Sequence, residues 1–344
     1  MLVIPFADGI GDFVMMLPLL AVVRRRFPAA ALTVAASQRS ALLLDSQLAA
    51  GVRVRTPSWI QEGPRPRGGP LRRLVPQGAL AALAAAALRW ELGRFDRTLN
   101  LFLWWERGMD FARHWTPQVP LREGAVHTLD YLADRLAREL GTAIPAAARR
   151  PQVRVRAAAG AWAGAWWQAH GLDGRPVVGL VPASNMRIKR WPVGRWARLC
   201  DALERARCVP LLLLPPGSDE AERIAVEARC PPLTARAPLD RMAALLARCR
   251  LVVGVDTGLL HLAAAVGTRY VGLFGPTNPL VTGPYDRTLG TALVAPFAKA
   301  RTCGGCWRQF KYIDDRCPTL PGASCMGALP VEAVLEACQA ELAR

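Results

Sequence analysis

Residues 251–279, LVVGVDTGLLHLAAAVGTRYVGLFGPTNP, leave this chain few folds to choose from. The run 251–255 is short, apolar and β-branched, the pattern of a strand covered on both faces, and such strands belong to parallel sheets flanked by helices. Asp256, Thr257 and Gly258 break the run, and a helix is expected from about residue 259, with Asp256 or Thr257 as its cap. Residues 270–274 repeat the buried-strand pattern, and Gly275-Pro276-Thr277-Asn278-Pro279 closes the unit with a stiff loop. Loops at such strand ends are where open α/β sheets usually meet ligands. Gly258 lets a ligand approach the backbone, and the unpaired N–H groups of the first helical turn, which also carries His261, favour a phosphate.

The same alternation extends through the chain, which predicts parallel sheets with crossover helices. Residues 1–6, 32–36 and 98–104 read as strands and residues 12–27 as a helix, while 57–76, rich in glycine, proline and arginine, read as a long loop. A second series follows, with strands at 177–181 and 209–214 and a helix at 191–206. Between the two series, residues 142–156 turn to alanine, proline and arginine without a clear period, so the junction is placed there. A chain of 344 residues is too long for one typical core. Two α/β domains are therefore expected, 1–155 and 156–344, facing a cleft.

Two further loops carry chemistry. Asp8-Gly9-Ile10-Gly11-Asp12-Phe13 joins the first strand to the first helix, where a dinucleotide fold would place its glycine fingerprint. The fit is poor, because the third glycine position holds Val14 and no acidic residue follows the second strand, where Ser37-Gln38-Arg39 stand. An aspartate on a glycine turn at a cleft can accept a proton from an attacking hydroxyl, or it can simply cap the helix. The second loop, residues 182–192, brings Ser184 and Lys189 in front of Trp191-Pro192. Lysine is a mobile point charge suited to an anion, and Lys189 is one of only three lysines, with Lys299 and Lys311, in an otherwise arginine-based cation set.

Taken together, the D-T-G-L-L-H helix start, the F-G-P-T loop, the G-D turn and the lysine before W-P resemble glycosyltransferase family 9, the ADP-heptose:lipopolysaccharide heptosyltransferases. The resemblance covers nearly the whole length. It implies a GT-B architecture, two doubly wound Rossmann-like domains, with an N-terminal acceptor domain and a C-terminal donor domain. It implies an inverting, metal-independent transfer of heptose from ADP-heptose to a hydroxyl, with a lipopolysaccharide core sugar as the expected acceptor. A protein hydroxyl, a natural product, or a catalytically inactive sugar-nucleotide-binding protein are the alternatives. Residue by residue, it assigns Asp12 as the base and Ser184 and Lys189 to the donor diphosphate, with Lys189 also meeting charge on the leaving group. It further assigns Asp256, Thr257, Gly258 and His261 to the donor. After the strand 209–214 the family places an acidic residue on the nucleoside; Glu220 is the choice here, with Asp219 next to it and helix capping by Ser218 or Asp219 as the competing use. The turn departs from the family's usual form in having Pro5 and Phe6 at the strand end and one extra residue before Gly9, which puts acceptor contacts there in doubt.

Four of the nine cysteines, Cys303, Cys306, Cys317 and Cys325, form a C-x2-C-x10-C-x7-C array. Four thiolates with one tight hairpin suit tetrahedral zinc or a single iron, and an all-cysteine site leaves no open position for catalysis. A structural clip within 303–325 is the expectation, and no cofactor is expected for the chemistry. Some family members carry a similar array, in certain cases for iron.

The net charge of +17 suits an anionic partner. A phosphorylated glycolipid and the inner leaflet of a membrane both qualify, whereas no nucleic-acid module or aromatic stacking motif accompanies the charge. No run is long and apolar enough to span a bilayer, and residues 1–6 lack the basic opening of a signal peptide. The expected location is cytoplasmic, with peripheral contact at the inner membrane.

Overall fold

The computed structural model describes residues 1–4, 9–44, 48, 51–56, 95–100, 126–296 and 325–344. The loop read at 57–76 and Cys303, Cys306 and Cys317 lie outside them.

Two all-parallel sheets organise the chain. The first contains β1 (Leu2–Ile4), β2 (Leu32–Ala35), β3 (Val52–Arg55) and β4 (Thr98–Asn100) in the order β3-β2-β1-β4. The second contains β5 (Val177–Val181), β6 (Val209–Leu214), β7 (Leu233–Arg236), β8 (Leu251–Val255), β9 (Tyr270–Phe274) and β10 (Gly290–Val294). Its order β10-β9-β8-β5-β6-β7, read from β7, is the 3-2-1-4-5-6 order of a doubly wound sheet. Strands β5, β6, β8 and β9 are buried at every residue, as continuous apolar runs require when helices cover both faces. Strand order reverses between β5 and β8, which pair Val178 with Leu251 and Val181 with Gly254. A crevice opens beyond the carboxyl ends of strands at such a reversal.

The first helix, Ile10–Arg26, has no solvent-facing side over much of its length, since residues 13–20 are all buried. It shares one apolar core with β1, β2 and β4, and with Leu259, Leu262 and Ala263 of the helix Gly258–Ala265 in the second sheet's layer. The two units therefore meet through helix packing. Backbone and side-chain bonds reinforce the junction: Val153 N donates to Ala265 O at 2.9 Å and Arg156 Nη2 to Leu44 O at 2.9 Å. A separate core lies on the other face of the second sheet, where Trp191 and Trp196 stack edge to face at 5.1 Å under the helix Val331–Leu342. Trp191 Nε1 donates to Leu329 O at 3.0 Å, so the indole also holds the C-terminal segment.

Candidate active site

Both loops at the reversal point bring charge into the crevice. Lys189 lies in the 3-10 turn Arg187–Lys189 after β5, and Asp256 directly follows β8. Lys189 Nζ donates to Asp256 Oδ2 at 2.8 Å, joining two motifs 67 residues apart. Asp256 is buried, and His261 Nε2 stands 3.7 Å from its other oxygen, Oδ1. Burial alone would raise the Asp256 carboxyl, but Lys189 and then His261 outweigh it and hold the group well below the usual carboxylate range. A carboxylate so fixed in its ionised form is a poor proton acceptor at neutral pH, whereas it orients a lysine or accepts bonds from hydroxyls well.

Capping at this helix differs from expectation. Thr257 is the N-cap of Gly258–Ala265, yet no side chain caps the helix. Asp256 is drawn to Lys189 and His261 instead. Among the described residues the first-turn N–H groups thus have no side-chain acceptor, the arrangement that makes a helix start receptive to an anion.

Ser184 is buried in the same loop, where its Oγ accepts from Met186 N at 3.2 Å and its carbonyl accepts from Arg190 Nε at 2.8 Å. Glu220 opens the helix Glu220–Glu227 beyond β6 and is also buried. Arg190 Nη1 reaches its Oε1 at 2.8 Å, and Ser218 Oγ donates to its Oε2. Asp219 holds the N-cap position without a side-chain bond. Arg190, which sequence reasoning left aside, is therefore the link between the Ser184 loop and Glu220.

The first domain's turn closes on this cradle from the opposite side. A methyl group at Gly258 would lie 2.7 Å from Ile10 Cβ and 2.9 Å from the Gly11 backbone nitrogen, and one at Gly11 would lie 2.9 Å from His261 Cδ2. Two helix starts thus meet at glycines, which alone permit that approach. Asp12 is the next residue, half-buried, in the first turn of its helix but not at the cap, which is Gly9. Its Oδ2 lies against Gly9, 2.5 Å from where a methyl group would stand. The structure thus brings Asp12, Lys189, Asp256, Thr257, Gly258 and His261 to one locus, with Ser184 and Glu220 joined to it through Arg190.

Cys325 is buried at the base of the loop after β9, its Sγ 2.7 Å from where a methyl group on Gly275 would stand. Among the described residues no group of three or more histidine, cysteine or acidic side chains is arranged to hold a metal. Of the remaining thiols, Cys200, Cys208, Cys249 and Cys338 are buried and Cys230 is exposed. Burial pushes Cys200, Cys249 and Cys338 up to about 12, which suits packing rather than thiolate chemistry. No helix among the described residues is long and apolar enough to cross a membrane.

Two doubly wound sheets that meet at glycine-opened helix starts, over a cradle of lysine, histidine and paired aspartate, define the GT-B class of fold. The family model for glycosyltransferase family 9 (heptosyltransferase) matches residues 123–303, more than half of the chain, and the chain belongs to that family. Lipopolysaccharide heptosyltransferase 1 of Pseudomonas aeruginosa is 36% identical over 138 residues, 38% of either chain, so the match spans little more than a third of that relative. The solved structure of E. coli ADP-heptose lipopolysaccharide heptosyltransferase II covers 99% of this chain, and this chain covers 98% of it, at a TM-score of 0.64 and 20% identity. The iron-containing dodecameric glycosyltransferase TibC from enterotoxigenic E. coli covers 99% of this chain, which covers 76% of that one, at a TM-score of 0.59 and 16% identity. The expected family and fold are both borne out.

Proposed function

We propose that this protein is an inverting glycosyltransferase that moves heptose from ADP-heptose to a hydroxyl of a lipopolysaccharide core acceptor. The observation that carries the reading is the Lys189–Asp256–His261 cradle at the strand-order reversal, with Asp12 brought to its edge by the Gly11–Gly258 contact. Family membership and relatives named as heptosyltransferases support it. In this reading the division falls at residues 155 and 156, the first unit taking the acceptor and the second the donor.

The chemistry follows from the charges. Asp12 accepts the proton of the acceptor hydroxyl as its oxygen attacks the anomeric carbon from the side opposite the departing ADP, which inverts that carbon. Asp256, already ionised and fixed, holds Lys189 and accepts bonds from donor hydroxyls. Lys189, the free N–H groups at Thr257-Gly258 and the hydroxyl of Ser184 meet the charge that grows on the leaving diphosphate, so the chemical step requires no metal. His261 bonds a phosphate oxygen once the donor draws it from Asp256, and Glu220 meets the nucleoside. Work at the cytoplasmic face, in peripheral contact with the inner membrane, suits an anionic glycolipid acceptor and a charge of +17.

Mass spectrometry of the acceptor after incubation with a panel of sugar nucleotides tests the reading; a mass gain of one heptose from ADP-heptose alone is the expected result. Binding of ADP without transfer to any lipid, protein or small-molecule hydroxyl would make the protein a sugar-nucleotide receptor instead. A sharper test concerns Lys189→Ala, expected to weaken ADP binding about tenfold or more, because part of the diphosphate loses a charged donor. The substitution also strips Asp256 of its cation, so calorimetry is paired with a melting curve. Unchanged ADP affinity would return Lys189 to a structural ion pair.

We also propose that Cys303, Cys306, Cys317 and Cys325 hold one structural zinc or iron ion. The spacing supports it, as does the iron in TibC, and Cys325 fits, since its thiol is already buried in an apolar setting beneath Gly275. Protein purified without chelator is expected to contain about one ion per chain, and its removal to lower the melting temperature more than the initial rate. Metal content near zero with all four thiols titratable would sink the clip.

A further inference from the structure

The helix Thr128–Leu140 rests on the first helix through Leu129, Leu132, Ala133 and Leu136, and its opening turn grips a short segment just beyond the G-P-T-N-P loop. His127 caps the helix by accepting from Leu129 N at its Nδ1, 3.1 Å, so Nε2 carries the proton and donates to Gly283 O at 2.9 Å. Thr128 Oγ1 donates to Val281 O at 3.0 Å. Asp130 Oδ1 accepts from Tyr285 Oη at 2.8 Å and from Arg149 Nη1 at 3.0 Å, while the Tyr285 ring meets the His127 ring edge to face at 5.0 Å. Arg150 Nε pairs with Asp286 Oδ2 at 3.2 Å.

The gripped segment is stiff. Asn278 Oδ1 caps the short helix Pro279–Thr282 by accepting from Leu280 N, and Thr282 Oγ1 donates to Asn278 O at 3.3 Å. A displacement at Gly283 is therefore passed back to Thr277, the last residue of the loop that leaves β9. Thr277 is 3% exposed, and its hydroxyl has no hydrogen-bond partner among the described residues. Burial, and a smaller effect of His261, push His127 down to about 4 against the raising influence of the Gly283 carbonyl and Asp130, so the ring is neutral and its two bonds persist at neutral pH.

We infer that His127, Thr128 and Asp130 are positioning residues that clasp segment 281–285 to the first domain's helix layer and so fix the β9 loop opposite the Asp12 turn. This bears on catalysis only on the reading of the protein as a transferase. The clasp spans the junction between the two units, so one short segment takes its position from both.

The test uses the full chain with Thr128→Val and Tyr285→Phe combined, each deleting one hydroxyl and little volume. Hydrogen exchange is expected to quicken about tenfold or more in segment 279–286 and also at the Asp12 turn, 9–14. ADP affinity should stay within twofold, while kcat falls about tenfold with little change in donor KM, and Thr128→Ser in the same background should recover part of the loss. Faster exchange confined to 279–286 with kcat unchanged would make the bonds local packing only, and unchanged exchange would show that they hold nothing; either overturns the inference. Absence of transfer by the unmodified protein with every sugar nucleotide would count against the transferase reading, whereas exchange at 9–14 judges the clasp without it.

Discussion

Asp12→Asn is expected to leave ADP affinity within a factor of two while lowering transfer by about a hundredfold or more, the scale of a lost general base. Two aspartates stand at the junction, and Asp256 does not suit the proton. Asp256 is held ionised by Lys189 and His261, so its conjugate acid is too strong for it to take a proton from a hydroxyl. Asp12 is half-buried on the first domain's side and directly follows Gly11, whose contact with Gly258 joins the two helix starts. Asparagine keeps the shape and one accepting oxygen, so ADP binding tests the cradle and turnover tests the base. Turnover near that of the unmodified protein would remove Asp12 from the mechanism.

Gly258→Ala should be nearly as damaging, by a different route. Its methyl group would stand 2.7 Å from Ile10 Cβ, 3.0 Å from Ile10 Cγ2 and 2.9 Å from the Gly11 nitrogen, and the last of these is backbone that cannot rotate away. Alanine has the better helix propensity, so weakening of the helix cannot account for a loss. The two helix starts must separate, and a misplacement on the order of 1 Å between reacting groups costs about a hundredfold. Adding Ile10→Gly removes two of the three close contacts and should recover part of the rate. Full activity of the single variant would mean that the observed approach is not the working one.

The second domain was the more legible part of the sequence, because continuous apolar strands ending in glycine, proline or aspartate have few other uses. Residues 177–181, 209–214, 251–255 and 270–274 are strands at the expected bounds. In the first domain the helix was expected at 12–27 and occupies Ile10–Arg26, since Gly9 rather than Asp12 is its cap. Lys189 and Asp256 were each legible as anion-site residues, but not as partners, because a pair 67 residues apart forms only once β5 and β8 lie side by side. That pairing also draws Asp256 away from the helix Gly258–Ala265, so that of the two expected caps, Asp256 or Thr257, Thr257 takes the N-cap position, without a side-chain bond. The clasp was not legible at all: His127 and Thr128 donate to backbone carbonyls more than 150 residues away, and a carbonyl leaves no mark in a sequence. Arg190 stands directly after Lys189 in the same loop, and that adjacency is the one signal the sequence offers for it.

The buried first helix has a consequence for anyone who cuts or recombines this protein. Its residues 13–20 are covered by β1, β2 and β4 on one side and by the helix Gly258–Ala265 on the other, so no surface of it is a free boundary. An isolated fragment ending near residue 155 would present that apolar flank to water and self-associate. For the same reason, a hybrid that borrows the amino-terminal half of another family member inherits a mismatched seam unless the facing residues of 258–265 travel with it. Recombination between relatives is therefore a problem of grafting loops onto an intact pair of helices, and the halves themselves are not interchangeable modules.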